Sequence, residues 1–205
     1  PWKQGKGLDM PIIIDKMMNL NLLYQATKHT SDSTFSGIAN AHAATTIKNQ
    51  YRVDYSCFHI IDYDHITGEV RKKVNFQGYS DDSAWARGQA WGLYGYTEAY
   101  KESGNEIFLE QAKNIAGYIL NTKKIPNDNI PYWDYDAESA EQVPRDASAA
   151  AIVASALLEL QAFDSTHKAK YLDYAETILR TLSSDDYLSN EKENGGFILK
   201  HSVGN

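Results

Sequence analysis

The sequence predicts an all-α protein built as an α/α toroid, and three observations predict it. Six apolar-periodic stretches of helical length run along its 205 residues. Stretches starting near residues 11, 82 and 146 are apolar or small on nearly every face, whereas those starting near 32, 106 and 165 keep one polar face. A weak self-similarity at a spacing of about sixty to seventy residues, "DDSAWARGQAW" against "RDASAAAIVA", fits repeating helical hairpins. Buried inner helices joined to amphipathic outer ones in antiparallel pairs build a ring. Three pairs make an incomplete portion of an (α/α)6 barrel, so residues 1–205 are expected to be one domain cut from a longer chain.

The elements follow in order. "PIIIDKMMNLNLLYQATKH" reads as a helix over 11–29 with Pro11 in its first turn. "SDSTFSGIANAHAATTIKNQY" reads as a second helix capped by Ser31 or Asp32. "YSCFHIIDYD" and "GEVRKKVNFQ", rich in aromatic and β-branched residues around "HITG", predict a short β-hairpin insertion. A third helix starts at Asp82 or Ser83 and ends at Gly104, a fourth covers 106–123, and 146–160 and 165–182 supply the last pair. Between them lies a polar, aromatic loop, "IPNDNIPYWDYDAESAEQVPRD". The end, "NGGFILKHSVGN", reads as a loop with a short strand.

Composition narrows the function. A hydrophobic share of 42% suffices for a core and 23% charged residues predict a soluble domain. No apolar run approaches the roughly eighteen residues of a membrane span, so no membrane partner is expected. The net charge of −7 argues against nucleic acid, since neutralising phosphates needs a basic patch. Cys57 is the sole cysteine, which excludes intramolecular disulfides and cysteine-based metal sites, and between Ser56 and Phe58 it reads as a small buried hydrophobe. The histidines show no metal-ligand spacing. Neither a phosphate-cradling glycine loop nor a G-x-S-x-G elbow occurs. The N-terminus has neither Met nor a signal-peptide pattern, as in a mature or excised segment, and periplasm and cytoplasm both fit.

The chemistry-bearing residues cluster at the starts of the inner helices: Asp15; Trp85 and Arg87; Arg145 and Asp146. Inner helices of an alternating array point the same way, so these starts share one mouth, where the helix dipoles are positive. Asp15, with Met18, Asn19 and Leu22 as its helical neighbours, reads either as a desolvated proton donor or as a first-turn Asp serving the helix dipole or a cap. Indole faces stack on sugar rings and a guanidinium matches a carboxylate, so Trp85, Arg87 and Trp91 could wall a sugar-acid site. Equally, the indoles could be core knobs with Arg87 paired to Asp81 or Asp82. His59, between Phe58 and Ile60, could be a satisfied strand histidine.

"IIIDKMMNLNLLYQA", "FHIIDYD", "NFQGYSDDSAWARGQAWGLYGY" and "PYWDYD…PRDASAAAIVASALLEL", in order along nearly the whole chain, resemble the unsaturated glucuronyl hydrolases, glycoside hydrolase family 88. The resemblance implies an (α/α)6 barrel that removes 4,5-unsaturated uronic acid from the non-reducing end of lyase-generated oligosaccharides. It implies that Asp15 is the general acid/base. His59 and Gln77 are then polar substrate contacts, Trp85 and Arg87 hold the unsaturated sugar, and Trp91 stacks on it. A second essential Asp of that family lies well upstream of the matching helix, and no aspartate here stands for it.

The reaction so implied is hydration of a vinyl ether. Protonation at C4 develops an oxocarbenium-like centre at C5, water attacks C5, and the hemiketal opens to release the remaining saccharide. One group acting as acid and then base suits a pKa near the working pH. No cofactor or metal is implied. Rivals are an unsaturated rhamnogalacturonyl hydrolase of the same barrel, a non-catalytic oligosaccharide-binding relative, and a helical-repeat scaffold that binds no sugar.

Overall fold

The computed structural model describes residues 7–137, 143–191 and 193–203. Residues 138–142 of the aromatic loop lie outside the described residues. Three helix pairs follow one another: α1 (Lys16–Thr30) with α2 (Thr34–Gln50), α3 (Ala86–Ser103) with α4 (Glu106–Asn121), and α5 (Ala147–Leu160) with α6 (Lys168–Leu182). Helix α3 packs against both α1 and α5, while α2, α4 and α6 each cover their own partner from outside. This is an arc of an α/α toroid, with α1, α3 and α5 as its inner layer.

Local chemistry ends most helices where the sequence indicates. Gly104 takes φ 67° at the end of α3, and its N–H donates to the Tyr100 carbonyl. Asn105 caps α4 by accepting from Ile107 N, and Asp146 caps α5 by accepting from Ser148 N and Ala149 N. Besides the start of α6 at Lys168 rather than 165, three boundaries differ from expectation. Ser31 closes α1 in the left-handed region (φ 62°), and Asp32 instead accepts from Thr34 N. Helix α3 begins at Ala86, because Ser83 and Trp85 are drawn into contacts with the 131–136 loop. Helix α1 begins at Lys16, so Pro11 is not in its first turn.

Met10–Ile13 is instead strand β1, pairing antiparallel with β2 (Ile60–Tyr63), which pairs with β3 (Val70–Val74) in the order β1-β2-β3. Proline is tolerated because β1 is an edge strand, and β-branched Ile12 and Ile13 suit a sheet. Nor is α1 apolar all round: Met17, Leu20 and Tyr24 are buried, but Leu22 is 74% exposed. Among the described residues no helix is long and apolar enough to cross a membrane.

The inner helices approach closely where side chains are absent. A Cβ on Gly95 of α3 would lie 2.5 Å from Met17 Cβ and 2.8 Å from the Met17 carbonyl carbon on α1. Glycine is required there by contact, not by backbone angle.

Candidate active site

The sheet sets up the first half of the site. In the β1–β2 register Ile13 faces Ile60, and the next residue, Ile14, donates its N–H to the His59 carbonyl at 2.9 Å. Gln50, at the end of α2, holds the same carbonyl through its side-chain amide at 3.0 Å. Asp15 therefore lands beside the His59 ring, with Oδ2 3.8 Å from Nε2.

Asp15 stands at the N-cap position of α1, yet its side chain makes no capping bond. The capping alternative is thereby corrected: pairing of β1 spends the backbone on the sheet and turns the carboxylate toward His59. Oδ2 is buried and has no hydrogen-bond partner. Burial pushes this carboxyl up from its ordinary value, while its own backbone and the charges of Arg87 and Lys16 pull it down.

The hairpin builds the second half. Val74 faces Ile60, which brings Asn75 beside His59, with Oδ1 3.1 Å from Nδ1. Asn75 Oδ1 also accepts from the backbone N–H of Gln77 at 3.1 Å and of Gly78 at 2.7 Å, folding the loop so that Gln77 faces the site. The N–H groups of Phe76 and Gln77 point at His59 Nδ1 at 3.2 and 3.4 Å. The two ring nitrogens of His59 are thus engaged on opposite sides, Nδ1 by Asn75 and the loop amides and Nε2 by Gln77 and Asp15.

Buried Asp134 locks the loop from the far side. Its Oδ2 accepts from Tyr79 N at 2.9 Å and from Ser83 Oγ at 2.6 Å. A Cβ on Gly78 would run into Asn75 and Asp134, so only glycine fits there. The sequence reading missed Asn75, Gly78, Ser83 and Asp134. An Asx turn was legible in "NFQG", but the Asp134 contact spans more than fifty residues.

Arg87, in the first turn of α3, joins the halves. Nη2 donates to Gln77 Oε1 at 3.1 Å, and Nη1 donates to Asp146 Oδ2 at 2.7 Å and to the Val203 carbonyl at 2.8 Å. Its ion-pair partner is thus Asp146, the α5 cap, and not Asp81 or Asp82. Gln77 Nε2 in turn lies 3.5 Å from His59 Nε2. Trp85 is 2% exposed, with the His59 ring 4.6 Å away and the Arg87 guanidinium 4.7 Å from its ring centre. It is a buried platform for those two residues and presents no open face.

Asp15, His59, Gln77, Trp85 and Arg87 therefore form one contiguous cluster. Trp91 stands one helical turn beyond Arg87, half-buried, and its ring contact is edge-on to Tyr94 at 6.1 Å. If its remaining surface stacks on a sugar, Trp91→Ala raises KM roughly tenfold, an effect of about 1–1.5 kcal/mol, with little change in melting temperature. A large fall in melting temperature at unchanged KM would return Trp91 to the core. Burial pushes the Cys57 thiol up to about 12, which makes it a poor nucleophile. Among the described residues, no group of three His, Cys, Asp or Glu side chains is arranged to hold a metal.

No family model matches the chain. It is 49% identical over all 205 residues to an unsaturated glucuronyl hydrolase of Formosa agariphila, covering 51% of that protein. It is 35% identical over 97% of its length to an unsaturated chondroitin disaccharide hydrolase of Streptococcus pyogenes, covering 50% of it. The chain spans about half the length of the curated relatives it matches. Among solved structures, an unsaturated glucuronyl hydrolase specific for heparin superposes on 96% of this chain and 53% of its own, with a TM-score of 0.93 and 50% identity. An aspartate-to-asparagine variant of the Streptococcus agalactiae enzyme, complexed with dGlcA-GalNAc6S, matches 94% of this chain and 51% of its own, with a TM-score of 0.81 and 35% identity. Identity along the entire chain, on the same arc of α/α hairpins, shows that it belongs to the unsaturated glucuronyl hydrolase family.

Proposed function

We propose that this chain carries the acid/base residue and the unsaturated-sugar subsite of a glycoside hydrolase. The enzyme would release 4,5-unsaturated uronic acid from the non-reducing end of lyase-generated oligosaccharides. One observation carries the reading: a half-buried aspartate with a desolvated oxygen that has no hydrogen-bond partner, faced by the His59 ring in a wall of Gln77 and Arg87. Burial raises this carboxyl, the direction that a proton donor to a vinyl ether needs. Relatives named for chondroitin disaccharides and for heparin support a glycosaminoglycan fragment as substrate.

In this reading Asp15 protonates C4 and positive charge develops at C5. The resulting carboxylate then takes a proton from water as the oxygen adds to C5. Asp15 is reprotonated, and the hemiketal opens with departure of the saccharide. His59 and Gln77 orient the sugar acid. The full-length protein should abolish the ultraviolet absorbance of the alkene in unsaturated chondroitin or heparin disaccharides. Sugar binding without that loss would sink the catalytic reading in favour of a binding relative. Turnover confined to rhamnogalacturonan fragments would move the substrate class to pectin.

Arg87→Lys supplies a second check. A lysine keeps the charge but cannot span Asp146, the Val203 carbonyl and Gln77 together. Loss of charge-assisted contacts is worth about 1.5–3 kcal/mol, so kcat/KM should fall roughly ten- to hundredfold. Wild-type kinetics in this variant would remove Arg87 from the site.

A further inference from the structure

We propose that Asp146 is a positioning residue of this site, fixing Arg87 and cancelling its charge so that Gln77 is aimed at His59 and Asp15 without a bare cation beside them. The inference rests on the reading of Asp15 as the acid and extends it to a residue on a different helix pair.

The geometry is a relay. Asp146 is completely buried, and its two oxygens divide the work. Oδ1 caps α5, accepting from Ser148 N at 3.1 Å, from Ala149 N at 3.2 Å and from the Ser148 hydroxyl. Oδ2 receives Arg87 Nη1 at 2.7 Å. The guanidinium is thus anchored on one edge, and its other nitrogen holds the Gln77 carbonyl oxygen. That bond leaves the Gln77 amide nitrogen directed to His59 Nε2. Capping α5 needs only Oδ1, and an asparagine would do it as well. The contact made by Oδ2 therefore serves Arg87 alone, and it is the contact that needs a negative charge.

Charge makes the role testable. The groups around Asp15 are Lys16 on its own helix, His59 ahead of β2, Cys57 in the same loop, and Arg87 on α3. Arg87 stabilises the Asp15 carboxylate, and Asp146 offsets that pull. Asp146→Asn keeps the cap and leaves Arg87 uncompensated. The Asp15 carboxyl should then lose its proton at lower pH, and the alkaline limb of kcat/KM should move down by up to about one pH unit. Arg87→Gln should move the same limb upward. The double variant, which buries neither charge, should return it toward the wild-type position, and it serves if either single variant fails to fold.

The experiment is the pH profile of the full-length enzyme on an unsaturated glycosaminoglycan disaccharide, with melting temperatures beside it. Opposite displacements in the single variants, with the limb of the double variant lying between them, support the proposal. A limb that stays in place in Asp146→Asn, or a double variant displaced like neither expectation, overturns it and leaves Asp146 a helix cap. Asp15→Asn separates the two failures. If that variant is inactive but the limbs do not move, only the role of Asp146 fails; if it turns over, the underlying assignment fails.

Discussion

Asp15→Asn should fold like the wild type, bind the unsaturated disaccharide and lose turnover. Asparagine keeps the shape of the side chain but cannot give a proton to C4 or take one from water. Losing a positioned general acid costs about 10²–10⁴-fold in kcat, and more where one group serves both proton transfers. Stability carries a separate sign. The Asp15 carboxyl is raised in the folded protein, so the folded state holds its proton above the pH at which the unfolded chain releases it. Ionising it therefore costs stability, and the cost appears as pH rises through the ordinary carboxylate range toward the raised folded value. The variant should consequently be at least as stable as the wild type at neutral pH. A helix-capping aspartate would show the reverse, because removing its charge would lower the melting temperature. In the wild type, activity should decline above the raised pKa. Turnover retained by the variant would end the assignment.

Gly95→Ala should damage stability and catalysis together, from a position that touches no substrate. The added methyl meets Met17 side-chain and backbone atoms at 2.5–2.9 Å, and backbone cannot rotate away as a side-chain tip would. Relief requires α1 to shift against α3. Overpacking of this kind costs about 1–3 kcal/mol, which for a domain of this size lowers the melting temperature by roughly 2–12 °C. Met17 lies two residues after Asp15, so the shift is transmitted to the carboxylate. A displacement near 1 Å can reduce kcat by about 10²-fold. A variant with wild-type melting temperature and kcat would show that the close approach of the two helices is not maintained in solution.

Periodicity and local turn chemistry encode the alternation of inner and outer helices, the hairpin, and the ends at Gly104 and Asp146. Periodicity and capping act over a single helical turn, within reach of the residues that encode them. The same alternation brings Asp15, Arg87 and Asp146 to one mouth, since helices alternating in direction must place the starts of α1, α3 and α5 at the same end. Tertiary structure alone decided what those residues do there. "PIII" is a run that helix and strand both accept, and it becomes β1 because Ile60–Tyr63, fifty residues on, offers it a ladder. That choice moves Asp15 out of the helix and against His59. Arg87 had two acidic neighbours in sequence and pairs with neither, because Asp146 is already buried at the adjoining helix start and a buried charge must be matched where it lies. Trp85, by residue type either a sugar platform or a core knob, is closed off by the His59 ring and the Arg87 guanidinium that pack on it. Contacts made across more than forty residues leave no periodic trace in the chain, and here they set both the surroundings of Asp15 and the partner of Arg87.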